Sequence, residues 1–386
     1  MNNKNTVFKY NKDFSRNILG KLRENIELYD TYICGSVMRC EALPMSDVDL
    51  VYFGKYNKKI NNIKIDKIDR VDNLYLGSGV AKRLYDCMSP EAGFLDSKPL
   101  NGGTDHQYYD CFNSKENLLN KFIWEYNYRF LNERSNKNGY NLKYSIGAYR
   151  DILLINLFGR FLKEKNNYTE PEILDSIKKI KENIKFDYSK LLESIELIML
   201  TKSTVLLAHA ETISRGRTQL TIKTLKKTFL YDKEFGNITK NNPKKFLHKY
   251  LECKKCLENF LDEIYKYINK RYKNYIYNSI ITSLDIINSK NIIPFEKILK
   301  QETSDNFPVQ ASIITNKKCP STILEKIARK NYNDVGHFCT NRLIAKSPKT
   351  NNRTLIFMLA NSKFALDDWT NKRYRTIIKK RLKYEK

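Results

Sequence analysis

The hydrophobic period of this chain changes partway along, and that change restricts the fold more than any other feature. From about residue 30 to 100 the apolar residues come in short β-prone runs, "TYICG", "DVDLVYF", "NLYLG" and "EAGFLD", broken by Gly, Pro, Asp and Asn. Runs so short and so punctuated read as strands of a small mixed sheet. Ahead of them, "FSRNILGKLRENIELY" carries apolar residues at helical spacing. After about residue 115 the period becomes three to four residues over long stretches such as "YRDILLINLFGRFLKE" and "SKLLESIELIMLTKSTVLLAHAETI". The fold class expected is therefore α+β, a small mixed sheet followed by a mostly α-helical region. Three parts are expected: 1–140 with the first helix and the sheet, 141–298 helical, and 299–386 helical with a basic tail.

At 386 residues the chain can bury at least one full core and holds two or three units. With 41% hydrophobic and 29% charged residues it reads as a globular protein and not a disordered one. The net charge of +26 predicts attraction to polyanions. A competing origin is compositional, because Lys, Asn, Ile and Tyr are all abundant, as in a chain encoded by an AT-rich genome. The start is polar, without the apolar core of a secretory signal, and no stretch approaches the about 20 apolar residues of a membrane span, so a cytoplasmic protein without membrane association is expected. Eight cysteines scattered from Cys34 to Cys339 fit reduced, buried thiols. The close pair Cys253 and Cys256, with His248 upstream, lacks the further ligands of a structural zinc and lies in a stretch of helical spacing. Past residue 300, "NKKCPSTILEKIARKNYNDV" and "SPKTNNRTLIFMLANSKFAL" share a Pro-containing turn and an apolar helix, about 31 residues apart. They resemble short helical solenoid repeats of the HEAT or leucine-rich-variant type, which would offer a surface for a protein partner. Two unrelated helical hairpins would leave the same trace.

Chemistry concentrates in "GSVMRCEALPMSDVDLVYF", residues 35 to 53. The turn Gly35-Ser36 offers a close-approaching backbone and a hydroxyl, both suited to phosphate oxygens. Strand alternation sends Asp47 and Asp49 to one face while Val48 and Leu50 turn to the other. Two carboxylates held close repel unless a cation lies between them, and hard oxygen ligands suit Mg²⁺, with Mn²⁺ as its substitute. A divalent metal beside a phosphate-binding turn is the apparatus for nucleotidyl transfer from an NTP.

Gly-Ser followed by this Asp-x-Asp resembles the DNA-polymerase-β-like nucleotidyltransferase superfamily. Within it, Gly35, Arg39, Glu41, Pro44, Ser46, Asp47, Asp49 and Leu50 are similar in register to the motif of the protein-PII uridylyltransferase branch, while Ser36, Val37, Met38 and Cys40 depart from it. "EAGFLDSKPLNGG" resembles the branch's later strand and turn, with Lys98 in place of an arginine, and this likeness implies Asp96 as third carboxylate. Asp69 and Asp72 in "KIDRVDNLYLG" stand as alternatives to it. "NLKYSIGAYRDI" resembles the branch's helix start through Lys143, Gly147, Arg150 and Asp151.

The resemblance implies an enzyme in which Asp47, Asp49 and Asp96 hold the metals, with Asp96 also the base. Gly35 and Ser36 would hold the triphosphate, and Lys143 and Arg150 would be phosphate partners. Arg39 would either touch the triphosphate or brace the loop. The family's hydrolase and sensing domains are not expected in this stretch, since His106, His209, His248 and His337 form no His-Asp pair. The expected acceptor is a protein hydroxyl, taking UMP or AMP. RNA or tRNA is the alternative, supported by the basic, tyrosine-rich "KYINKRYKNYIY" and "NKRYRTIIKKRLKYEK". A non-catalytic nucleotide sensor or scaffold is the third possibility.

Overall fold

The computed structural model describes residues 6–25, 31–42, 48–52, 65, 68, 71–75, 83, 98–99, 114–129, 139–143, 145–163, 172–209, 219–289, 293–365 and 368–384. Asp47, Asp69, Asp96, His106 and the "EAGFLD" run lie outside these residues. For Asp72 and Lys98 the description covers the backbone. The chain forms two units, Met1–Tyr75 with Asp96–Tyr275, and Leu76–Leu95 with Ile276–Lys386. The texture boundaries near residues 140 and 298 mark changes of local period, whereas the units follow packing.

In the first unit, α1 (Thr6–Asn25) turns Phe8, Ile18 and Leu22 inward, and it also buries Asn11 and Ser15. The sheet has the order β3-β2-β1-β4 among the described strands. In it β1 (Thr31–Cys34) pairs antiparallel with β2 (Val48–Tyr52), and on its other side with β4 (Lys98–Pro99). The remaining strand, β3 (Val71–Tyr75), runs parallel to β2. The sheet is thus mixed, and the whole is an α+β combination. Ile18 and Leu22 close over Ile33, Val48 and Leu50, with Val37 and Met38 of the one-turn helix α2 (Gly35–Met38) in the same core.

Helices make up most of the rest of this unit. They are α3 (Lys115–Tyr128), α4 (Tyr149–Leu162), α5 (Glu172–Lys181) and α6 (Tyr188–Ala208), then α7 (Ile222–Tyr231), α8 (Lys233–Asn237) and α9 (Pro243–Arg271). Their starts are written in the sequence. Ser114, Asp187 and Asn242 each accept a hydrogen bond from an amide in the first turn, Pro243 opens α9, and Thr221 and Thr224 form a capping box on α7. A short ladder joins β5 (Tyr140–Asn141) to β6 (Gln219–Leu220), just ahead of α7.

The second unit is helical among its described residues: α10 (Asn278–Asn288), α11 (Phe295–Leu299), α12 (Phe307–Thr315), α13 (Ser321–Asn331), α14 (Phe338–Lys346), α15 (Asn352–Asn361) and α16 (Asp368–Tyr384). The pair α12 and α13 recurs as α14 and α15 with the starting residues shifted by 31, from 307 to 338 and from 321 to 352. A cation closes the carbonyl end of each pair's first helix. Lys349 Nζ donates to the carbonyls of Ile314 and Asn316, and Arg381 donates to those of Ala345 and Ser347, 31 residues further on. Arg375 donates to the carbonyls of Leu359 and Ser362. Part of the basic tail is therefore spent on helix ends. Among the described residues, no helix is long and apolar enough to cross a membrane.

Candidate functional site

The ladder sets Cys34 of β1 opposite Asp49 of β2, so Gly35 leaves the sheet beside that carboxylate. Gly35 has φ +70, and a Cβ on it would overlap Asp49 Oδ2. Both facts demand glycine: an L side chain disfavours this backbone, and the space belongs to the carboxylate. The first glycine of the Gly-Ser turn and the second aspartate of the Asp-x-Asp are thus in contact. The parallel register of β2 and β3 sets Asp72 alongside Asp49 in the backbone.

Beyond the one-turn helix the chain is locked by a buried polar network. Glu41 is 1% exposed and accepts from Arg39 Nε at 3.0 Å, Asn156 Nδ2 at 2.8 Å and the Ile173 amide at 3.0 Å. The Glu172 amide donates to the Arg39 carbonyl at 2.9 Å, and the Glu172 carboxylate is bound by Arg160, whose Nη2 also faces Met38 Sδ. The Glu41 amide returns to the Ser36 carbonyl at 2.8 Å, and the Ala42 amide donates to Ser15 Oγ of α1. Burial pushes the Glu41 carboxyl above its ordinary range, against the lowering by Arg39 and Asn156 and with a further push from Glu172. Arg39 thus donates to a buried carboxylate two residues along the chain. The network ties the segment between the two motif halves to α4 and α5, on the helical side of the unit.

Tyr149, the first residue of α4, reaches the same place. It is buried, and its hydroxyl pKa is pushed up to about 12 by burial and by the negative charge of Glu41 and Asp49, with Arg39 opposing. Lys202 of α6 lies 3.6 Å from the centre of its ring. Neither Tyr149 nor Lys202 was among the residues expected from sequence; the signal for Tyr149 is its position inside "NLKYSIGAYRDI".

That stretch has its own structural logic. Gly147 has φ +73, and a Cβ there would overlap the Lys254 carbonyl of α9. The Gly147 amide donates to Asp151 Oδ2 at 2.7 Å, and Arg129 stands 3.9 Å from the same oxygen. Gly147 and Asp151 thus build the start of α4, the helix that delivers Tyr149. The Arg150 amide donates to the Lys143 carbonyl, and the Arg150 guanidinium lies 3.6 Å from Glu125 of α3.

Of the three carboxylates implied by resemblance, Asp49 is described and Asp47 and Asp96 lie outside the described residues. Asp49 is a partly exposed hard oxygen donor, the kind Mg²⁺ or Mn²⁺ takes, so the residue present fits such a metal. Among the described residues no group of three or more His, Cys, Asp or Glu is placed to hold a metal. Cys253 and Cys256 are buried in α9, and burial pushes the Cys253 thiol up. No family model matches the chain, and neither a curated protein nor a solved structure matches it.

Proposed function

We propose that the sheet of the first unit carries metal-dependent nucleotidyl transfer. An acceptor hydroxyl attacks the α-phosphorus of an NTP, the bond from that phosphorus to the pyrophosphate oxygen breaks, and pyrophosphate leaves. The acceptor's proton passes to Asp96. The observation that supports this most is the approach of Gly35 to Asp49: a backbone fit for phosphate and a carboxylate fit for a metal meet at one place. Gly35 and Ser36 would take triphosphate oxygens, with Lys143 and Arg150 as further phosphate partners. Asp47, Asp49 and Asp96 would hold Mg²⁺ or Mn²⁺, which supplies Lewis-acid polarisation of the α-phosphate and neutralises the leaving group. Arg39, held by Glu41, keeps the turn in place from below.

The acceptor implied by resemblance is a protein hydroxyl. A polynucleotide acceptor is the second reading, favoured by the lysine-covered surface of α7 and α9. The test is incubation with each α-³²P-labelled NTP, Mg²⁺ or Mn²⁺ and a cell lysate. Wild type should label a protease- or RNase-sensitive product, and Asp49→Asn should lower labelling by about a hundredfold or more at unchanged melting temperature. Nucleotide binding without transfer from any NTP with either metal would instead make the chain a nucleotide sensor or scaffold.

A further inference from the structure

Part of the positive charge of the first unit gathers on α7 and the start of α9, outside the site. Phe229 of α7, Phe235 of α8 and Phe246 of α9 pack ring against ring, with centroids 4.8 to 5.9 Å apart. This aromatic hub fixes which way the surrounding side chains face. In α7 it takes the Leu225, Thr228 and Phe229 side inward, leaving Lys223, Lys226, Lys227 and Leu230 exposed at spacings of three and four on the other side. In α9 it takes Phe246 and Tyr250 inward and leaves Lys244, Lys245 and Lys249 exposed. The turn between α8 and α9 is fixed too: Lys240 and Asn241 have φ 50 and 56, and the Asn241 amide donates to the Gly236 carbonyl at 2.8 Å.

None of these six exposed lysines forms an ion pair with a carboxylate among the described residues. Other lysines of the chain do pair with carboxylates. Lys255 and Lys266 pair with Glu258 and Glu263 further along α9, and Lys326 and Lys330 pair with Glu296 and Asp305 in the second unit. At the end of α7 the lysines are joined by two exposed apolar side chains, Leu230 at 83% and Tyr231 at 60%.

The composition of this surface selects its ligand. A helix that lies in a membrane interface needs its apolar face free, and that face of α7 is buried in the unit. Centres of protein interfaces are depleted of lysine. Sequence-blind phosphate binding, by contrast, uses flexible point charges, with an exposed ring on which a base can stack. We propose that α7 and the start of α9 bind the backbone of single-stranded nucleic acid, with Tyr231 as a stacking ring. The ladder supplies a link to the candidate site. The strand β6 runs directly into α7, and its partner β5 leads into the Lys143–Asp151 turn that presents Tyr149. The binding itself stands on the lysines and holds whether or not transfer occurs.

The experiment is fluorescence anisotropy with labelled RNA and DNA strands of about 16 nucleotides and the full chain, over a series of salt concentrations. Affinity should fall steeply with salt. Replacing Lys223, Lys226 and Lys227 together by Ala should reduce the log–log slope by about 2 and weaken low-salt binding about tenfold or more. Tyr231→Ala should weaken binding with the slope unchanged, while Lys326→Ala with Lys330→Ala should bind as wild type. No strand binding, or a triple variant with the wild-type slope, would overturn the proposal. So would tighter binding to phosphatidylserine vesicles, lost in the same triple variant, which would make the surface a membrane contact. Lost transfer with retained strand binding would remove the catalytic reading alone.

Discussion

Gly35 is the residue on which the candidate site is most exposed to change. Gly35→Ala puts a methyl group where Asp49 Oδ2 sits and forces an L residue to φ +70, a backbone cost of about 1–2 kcal/mol before any displacement of the carboxylate. Transfer should fall by about a hundredfold or more, with a lowered melting temperature, both checked on the same preparation. Glu41→Ala attacks the buried network instead. It leaves Arg39, Asn156 Nδ2 and the Ile173 amide without their shared acceptor, and a loss of about 3–5 kcal/mol in denaturant unfolding is expected. At this scale the sequence shows Gly35, Asp49 and Arg39 because they stand within one short run. It does not show that Glu41 is buried under Asn156 and Ile173, more than a hundred residues away, nor that Lys202 reaches the Tyr149 ring. Those pairings are decided by how the helices pack on the sheet, and no local pattern records them.

Among the elements, α1 shows how a helix can be partly hidden. Its apolar spacing is clear around Ile18 and Leu22, yet the helix begins at Thr6, because Asn11 and Ser15 fill buried positions where an apolar residue would have revealed the period. Ser15 is polar there because it receives the Ala42 amide. The strands β1 and β2 and the long helices are legible, since each follows its own period. The start of α4 is equally local. Gly147→Ala would force that residue to φ +73 against the Lys254 carbonyl, so it should destabilise the unit by about 1–2 kcal/mol from the backbone alone, measured by denaturant unfolding. In the second unit, burial lowers the pKa of His337 to about 4, with Asp334 and Asp305 opposing and Arg83 and Lys330 assisting. Its folded value lies below the unfolded one, so the unfolded chain binds the proton more readily between pH 4 and 6.5. Stability should therefore rise with pH across that window and be lost as pH falls, by up to about 3 kcal/mol. His337→Gln should flatten the pH dependence of the melting temperature there, whatever it does to the absolute value.

For the whole molecule, the excess of positive charge has several destinations: helix-end carbonyls in the basic tail, ion pairs along α9 and the second unit, and the exposed lysines of α7 and α9. The tyrosine-rich stretch around residue 270 is used largely in packing, with Tyr272 edge-on to Phe161 and Tyr267 donating to Asn183. The two units are also not consecutive pieces of chain. Leu76–Leu95 belongs with Ile276–Lys386, and Arg83 in that short segment binds Asp334 through Nε at 3.1 Å and Nη2 at 2.6 Å. A fragment of residues 276–386 alone should therefore melt below the second unit of the full chain, and a peptide of residues 76–95 added in trans should raise its melting temperature, less so with Arg83→Ala. The backbone passes between the units at residues 75, 95 and 275. A gene crossover at the last of these points would carry Asp334 into a new lineage and leave Arg83 behind. A helical unit moved in that way would lose the segment 76–95 that belongs with it and the carboxylate's guanidinium partner.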